Sequence, residues 1–111
     1  MRYVSTRGLP GTPTSTFCDI LLEGLAPDGG LFLPQSYPVL PPEELDGLRN
    51  MSYAELAYAI VGRYADDIPP ADLKRIIDAT YTAEVFGSAD ITPVRTLEPG
   101  LHILQLSNGP T

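Results

Sequence analysis

Arg7 follows two hydroxyl residues, Ser5 and Thr6, and precedes Gly8. Hydroxyls, a guanidinium and a glycine amide close together can hold an anion, because each supplies a donor and the guanidinium supplies charge. The bland alternative is a loop whose arginine makes a surface ion pair. A second group is Asp28-Gly29-Gly30, where adjacent glycines after an acid permit a sharp reversal and let backbone approach a ligand or a neighbouring domain. The third is Asn108-Gly109-Pro110-Thr111. It reads as a turn directly after a strand, the position at which open α/β sheets place their ligands. No nucleotide loop, metal-ligand spacing or nucleophile–base set is visible. The one cysteine, Cys18, lies in an apolar stretch and reads as a small buried hydrophobe. The one histidine, His102, reads as a packing residue, and one Cys with one His does not make a zinc site.

These residues need elements to position them. Arg2 to Ser5 fits a short strand, followed by a Gly-, Pro- and Thr-rich loop. Thr16 can cap a helix with Asp19 at its third position; Phe17, Ile20, Leu21 and Leu25 form its expected apolar face and Gly24 its stop. Leu31 to Leu33 reads as extended and Pro41-Pro42 as a helix start. Ser52-Tyr53-Ala54-Glu55 is a capping box. Behind it Tyr53, Leu56, Ala57, Ile60, Val61 and Tyr64 recur at helical spacing. Pro69-Pro70 opens a further helix with Leu73, Ile76, Ile77, Thr80 and Tyr81 on one face, so the two helices should pack antiparallel. Phe86 to Asp90 reads as a loop, and residues 94 to 106 as a hairpin through Glu98-Pro99-Gly100.

The last strand, Leu101 to Leu106, is apolar on both faces, with Leu101 and Ile103 on one and Leu104 and Leu106 on the other. That is the pattern of a central, usually parallel strand covered by helices. Too few flanking units exist to cover it, so the expectation is the front piece of a longer protein. An exposed 101–106 strand could also self-associate through its open edge. The reading is a small, mainly helical domain over residues 1–91 and the opening of a different sheet over 92–111.

Fourteen acidic against seven basic residues give a formal charge of −7, with no basic stripe, so nucleic acid is not an expected partner. No apolar run approaches a membrane span and no signal-peptide core precedes residue 20, which points to a cytoplasmic protein without a membrane.

In order along the chain, Tyr3-Val4-Ser5-Thr6-Arg7-Gly8, then Gly24 to Pro34 with its Asp-Gly-Gly-Leu-Phe-Leu-Pro, then Ile68-Pro69, Asp90-Ile91-Thr92-Pro93 and finally Leu101 to Thr111 resemble threonine synthase. The resemblance spans the whole chain. It implies an α/β protein, α+β within these residues, in which a small N-terminal domain precedes a type II pyridoxal-phosphate (PLP) fold. It implies conversion of O-phosphohomoserine and water to threonine and phosphate. It also implies a Schiff-base lysine shortly after Thr111, so no catalytic residue is expected within the chain, and the 111 residues alone, with PLP unbound, should not turn over. Asn108, Gly109, Pro110 and Thr111 become the approach to that lysine and the cofactor. Asp28, Gly29, Gly30 and Arg7 become candidates for the wall of the substrate cleft, and the PLP domain becomes the expected partner. Asn108 departs mildly from the histidine common in the family. Two alternatives stand beside this: a threonine-synthase-like phospho-lyase, and a non-enzymatic interaction domain derived from the family.

Overall fold

The computed structural model describes residues 1–110. Its elements run β1 (Tyr3–Ser5), α1 (Phe17–Glu23), β2 (Phe32–Pro34), α2 (Pro42–Leu48), α3 (Tyr53–Tyr64), α4 (Pro70–Thr80), α5 (Ala83–Phe86), β3 (Val94–Glu98) and β4 (Leu101–Leu104). The class is α+β. Two separate antiparallel ribbons, β1–β2 and β3–β4, lie at either end of the helical sequence.

Local chemistry sets most boundaries. Both expected capping boxes form: Thr16 with Asp19 starts α1, and Ser52 with Glu55 starts α3, where the Ser52 amide donates to Glu55 Oε2 over 2.8 Å. Gly24, at φ 77°, ends α1 and its amide donates to the Ile20 carbonyl. Prolines at the first helical turn open α2 and α4. Pro99 and Gly100, the latter at φ 83°, make the two-residue link between β3 and β4. The register shifts between Thr96 and Glu98, leaving Leu97 as the extra residue of a bulge.

The core is small: Tyr3, Ala26, Ala65, Leu73, Ile77 and Ile91 are the buried apolar residues. The loop from Tyr64 to Asp67 gathers its parts. Tyr3 Oη donates to the Tyr64 carbonyl over 2.7 Å, and the Cys18 amide donates to Asp67 Oδ2 over 2.9 Å. The Met1 amine ion-pairs with Asp66. Burial, with Asp66 and Asp67 nearby, pushes the Tyr3 phenol up.

Several expectations are corrected. The doubly apolar strand is not a parallel, covered strand: β4 pairs antiparallel with β3 and every residue of both is exposed. Leu21 on α1 and Ile76 on α4 face solvent rather than a core, and Leu25, expected on the apolar face of α1, lies beyond the helix end and is exposed too. Cys18 is only half-buried. A short helix, α5, occupies Ala83–Phe86 because Thr82 caps it, accepting from the Val85 amide over 3.2 Å.

Candidate functional site

The first two sequence motifs meet. β1 ends at Ser5, and the chain between α1 and β2 returns past it, so Ser5-Thr6-Arg7 and Asp28-Gly29-Gly30 form one junction. Its geometry follows from a turn. Pro27 sits at the second position of a reversal closed by the Gly29 amide donating to the Ala26 carbonyl over 2.8 Å, and Gly29 takes φ 79°. Asp28 Oδ1 then accepts from the Gly30 amide at 2.9 Å and from Ser5 Oγ at 2.7 Å. The Leu31 amide donates to Thr6 Oγ1 at 3.0 Å, and the Thr6 amide to the Leu31 carbonyl at 2.8 Å.

Gly30 is buried, and the packing explains why it is glycine. A β-carbon there would lie 2.3 Å from Ser5 Oγ and 2.9 Å from Thr6 Oγ1. The Ser5 hydroxyl first, then the Gly30 amide, with Arg7 contributing charge, hold the Asp28 carboxyl below its usual range. Arg7 lies along the turn: its backbone amide donates to Ser5 Oγ at 3.1 Å, and Nη1 points to the Asp28 carbonyl at 3.3 Å. A β-carbon on Gly29 would come within 3.0 Å of that Nη1, so the second glycine clears the ground on which the guanidinium rests. Beside the junction a cleft of about 300 Å³ is lined by Ser5, Ala26, Asp28 and Phe32, among others.

The sequence offered Ser5 and Thr6 as anion donors. Ser5 instead donates to Asp28, while the Thr6 oxygen accepts and keeps its hydrogen for another partner. That internal use had no sequence signal, since Ser5 and Asp28 are 23 residues apart.

Asn108, Gly109 and Pro110 stand elsewhere, and no hydrogen bond among the described residues joins them to the junction. Gly109, at φ 123°, lies on the Phe86 ring, where an added β-carbon would approach Cε1 to 3.1 Å. Phe86 in turn stacks on Tyr81, centroids 5.7 Å apart. Thr111 lies outside the described residues. His102 Nδ1 bonds Thr96 Oγ1 across the hairpin at 2.9 Å, so it is a hydrogen-bonded cross-strand residue, exposed rather than packed as expected.

The chain's own residues do not suit covalent PLP binding. An imine-forming amine needs a lowered pKa and a protected setting. Lys74, the only lysine, ion-pairs with Asp78 one turn along exposed α4, and that contact holds its amine above the ordinary value. Among the described residues, no three His, Cys, Asp or Glu side chains gather to hold a metal ion.

Fold and junction together define a small α+β module that presents a preformed pair of loops and a wide apolar surface. The chain belongs to the threonine synthase N-terminal family: the family described as the threonine synthase N terminus matches residues 2–81. It is 49% identical to threonine synthase of Methylobacillus glycogenes over 118 residues, covering 100% of this chain and 24% of that protein. Threonine synthase of Corynebacterium glutamicum is 47% identical, again over 100% of this chain and 24% of its own length. Threonine synthase-like 2 of Xenopus laevis is 35% identical over 100% of this chain and 23% of its own. The crystal structure of PLP-bound threonine synthase from Brucella melitensis superposes with a TM-score of 0.84 at 40% identity, covering 99% of this chain and 23% of that one. The chain therefore spans about a quarter of the length of the relatives it matches.

Proposed function

We propose that this chain is the N-terminal module of a threonine synthase that converts O-phosphohomoserine and water to L-threonine and phosphate with PLP. The observation that carries the reading is the match to threonine synthases over the whole chain at up to 49% identity, with the fold shared at TM-score 0.84. In this reading residues 1–91 form the module and 92–111 lead into the type II PLP fold. The module buttresses that fold and helps to close the cleft, with Arg7, Asp28, Gly29 and Gly30 on its wall. Asn108 to Thr111 are read as the approach to the cofactor lysine, a reading supported by the turn at Gly109 against Phe86 that follows the β3–β4 ribbon. PLP, when bound to the parent, would supply the electron sink for loss of phosphate from Cγ of the substrate and for addition of water at Cβ. The 111 residues supply no imine lysine of their own, in keeping with the ion pair that holds Lys74. A cytoplasmic setting fits a biosynthetic enzyme with the single cysteine Cys18.

The test measures threonine and phosphate together. The full-length parent with PLP should release both in equal amounts from O-phosphohomoserine, and the 111-residue chain with PLP should release neither and form no adduct at Lys74. Absence of threonine from the full-length reaction would overturn the reading. The like-named relatives, threonine synthase-like 2 of Xenopus laevis and threonine synthase-like 1 of mouse, the latter 39% identical over 89% of the chain, favour one second reading. There the parent is a phospho-lyase, and phosphate would appear without threonine.

A further inference from the structure

We propose that Arg7 is a phosphate-contacting residue of the parent enzyme, held by the β1–turn junction so that its guanidinium meets the phosphate monoester of the substrate and the inorganic phosphate released. The inference rests on the threonine synthase reading above and assigns a role to one residue of the proposed cleft wall.

Three observations carry it. First, Arg7 is a cation whose carboxylate neighbour is already engaged. Arg49, Arg63, Lys74 and Arg75 each pair with an acidic side chain within ion-pair distance, whereas Arg7, like Arg2 and Arg95, makes no ion pair among the described residues. Arg7 sits beside Asp28 but bonds its neutral main-chain carbonyl at 3.3 Å, while Oδ1 of that aspartate is taken up by Ser5 and Gly30. The guanidinium acts on the Asp28 carboxylate through space but spends only Nη1 on the turn, so its other donors make no hydrogen bond among the described residues. Secondly, it is positioned. The Arg7 amide is tied to Ser5 Oγ, and Gly29 leaves room for the side chain to lie flat on the turn. A positioned planar fork is what bidentate recognition of phosphate requires. Thirdly, the unused hydrogen of the Thr6 hydroxyl adds a neutral donor on the adjoining residue. The cleft of about 300 Å³ beside the junction is lined by Glu23 and Asp28 and not by Arg7 or Thr6, so the phosphate is assigned to the open side of the turn on which the guanidinium lies.

The experiment compares the full-length wild type with Arg7→Gln and Arg7→Lys, each loaded with PLP. Loss of one charge-assisted contact should raise both KM for O-phosphohomoserine and the inhibition constant of inorganic phosphate by about tenfold or more in Arg7→Gln. The thermal midpoint should stay within about 2 °C, because an exposed side chain contributes little to the fold. Arg7→Lys should recover part of both effects, since a point charge still attracts phosphate. Direct calorimetric binding of inorganic phosphate to the same proteins reads the contact without turnover, so a wild type that makes no threonine would sink the functional reading and leave Arg7 testable. Unchanged phosphate binding in Arg7→Gln overturns the inference. So does a lowered thermal midpoint with unchanged phosphate constants, which would assign Arg7 to a carboxylate elsewhere in the parent.

Discussion

Asp28 Oδ1 accepts hydrogen bonds from a hydroxyl and an amide at once, so one residue fixes both the turn and its contact with β1. Gly30 makes that possible, and Gly30→Ala should destabilise the fold by about 1–3 kcal/mol through overpacking against Ser5. In denaturant unfolding the double variant Ser5→Ala/Gly30→Ala should be less unstable than the two single effects added, because removing Oγ takes away the closest of the clashes and leaves the milder one with Thr6 Oγ1; strict additivity would contradict the geometry. Asp28 also predicts an acid-side signature. Its folded-state pKa lies below the unfolded value of about 3.9, so its contribution is present at neutral pH and fades as pH falls through the lower folded value. Ser5→Ala should move the carboxyl titration, followed by NMR, back up toward the ordinary range; no movement would remove Ser5 as the main cause. The Asp-Gly-Gly run read in the sequence either as a tight turn or as a close approach of backbone, and the structure uses one glycine for each: Gly29 takes φ 79° and Gly30 lies against Ser5. What it comes close to was hidden, since hydroxyls of Ser5 and Thr6 read equally as outward donors or as internal clamps.

At the scale of elements, local chemistry and tertiary cover separate cleanly. Both capping boxes, the proline starts of α2 and α4 and the Pro99-Gly100 turn were legible because each is decided within four residues of chain. Ser52→Ala should accordingly cost about 1 kcal/mol in chemical denaturation, through the lost bond to the Glu55 amide. Ile77, 3% exposed, is a tertiary matter, and Ile77→Ala should cost about 2–5 kcal/mol. Leu22→Ala, at a side chain 89% exposed, should stay within about 0.5 kcal/mol. Equal losses from Ile77→Ala and Leu22→Ala would mean that the core is drawn in the wrong place. The apolar spacing of α4 holds as a stripe and that of α1 only as far as Leu21, since Leu25 lies past the helix end; Leu21, Leu25 and Ile76 remain in solvent. Periodicity reports which residues share a face; it does not report whether anything lies against that face. For the same reason the two-sided apolar character of β4 was visible, while its antiparallel pairing was settled by the tight turn before it.

The whole molecule carries more surface than a free-standing globule of its size. At 12.0 kDa a compact monomer exposes about 6,000 Å², against 8002 Å² here. The radius of gyration, 16.6 Å, exceeds the roughly 13 Å expected of a compact 111-residue domain. Exposed apolar side chains run along the chain, from Leu9 to Leu106, and the terminal ribbon carries several of them. Val94, Leu97, Leu101, Ile103 and Leu104 put exposed apolar side chains on the β3–β4 ribbon, and two strands alone are marginal in water. A ribbon of this kind gains its stability from what packs on it, and in the threonine synthase reading that is the PLP fold of the parent. Amide hydrogen exchange separates the possibilities. In the isolated chain the β3 and β4 amides should exchange faster than those of α3 and α4, whose helices pack on each other around Leu73 and Ile77. In the full-length protein the ribbon should become the slower of the two, since both of its faces and its open edges are then covered. Slow exchange of the ribbon in the isolated chain that depends on protein concentration would instead show a second copy pairing along β4. Slow exchange without any concentration dependence would mean that the ribbon is stable as it stands, and that its apolar faces serve something other than the rest of the enzyme.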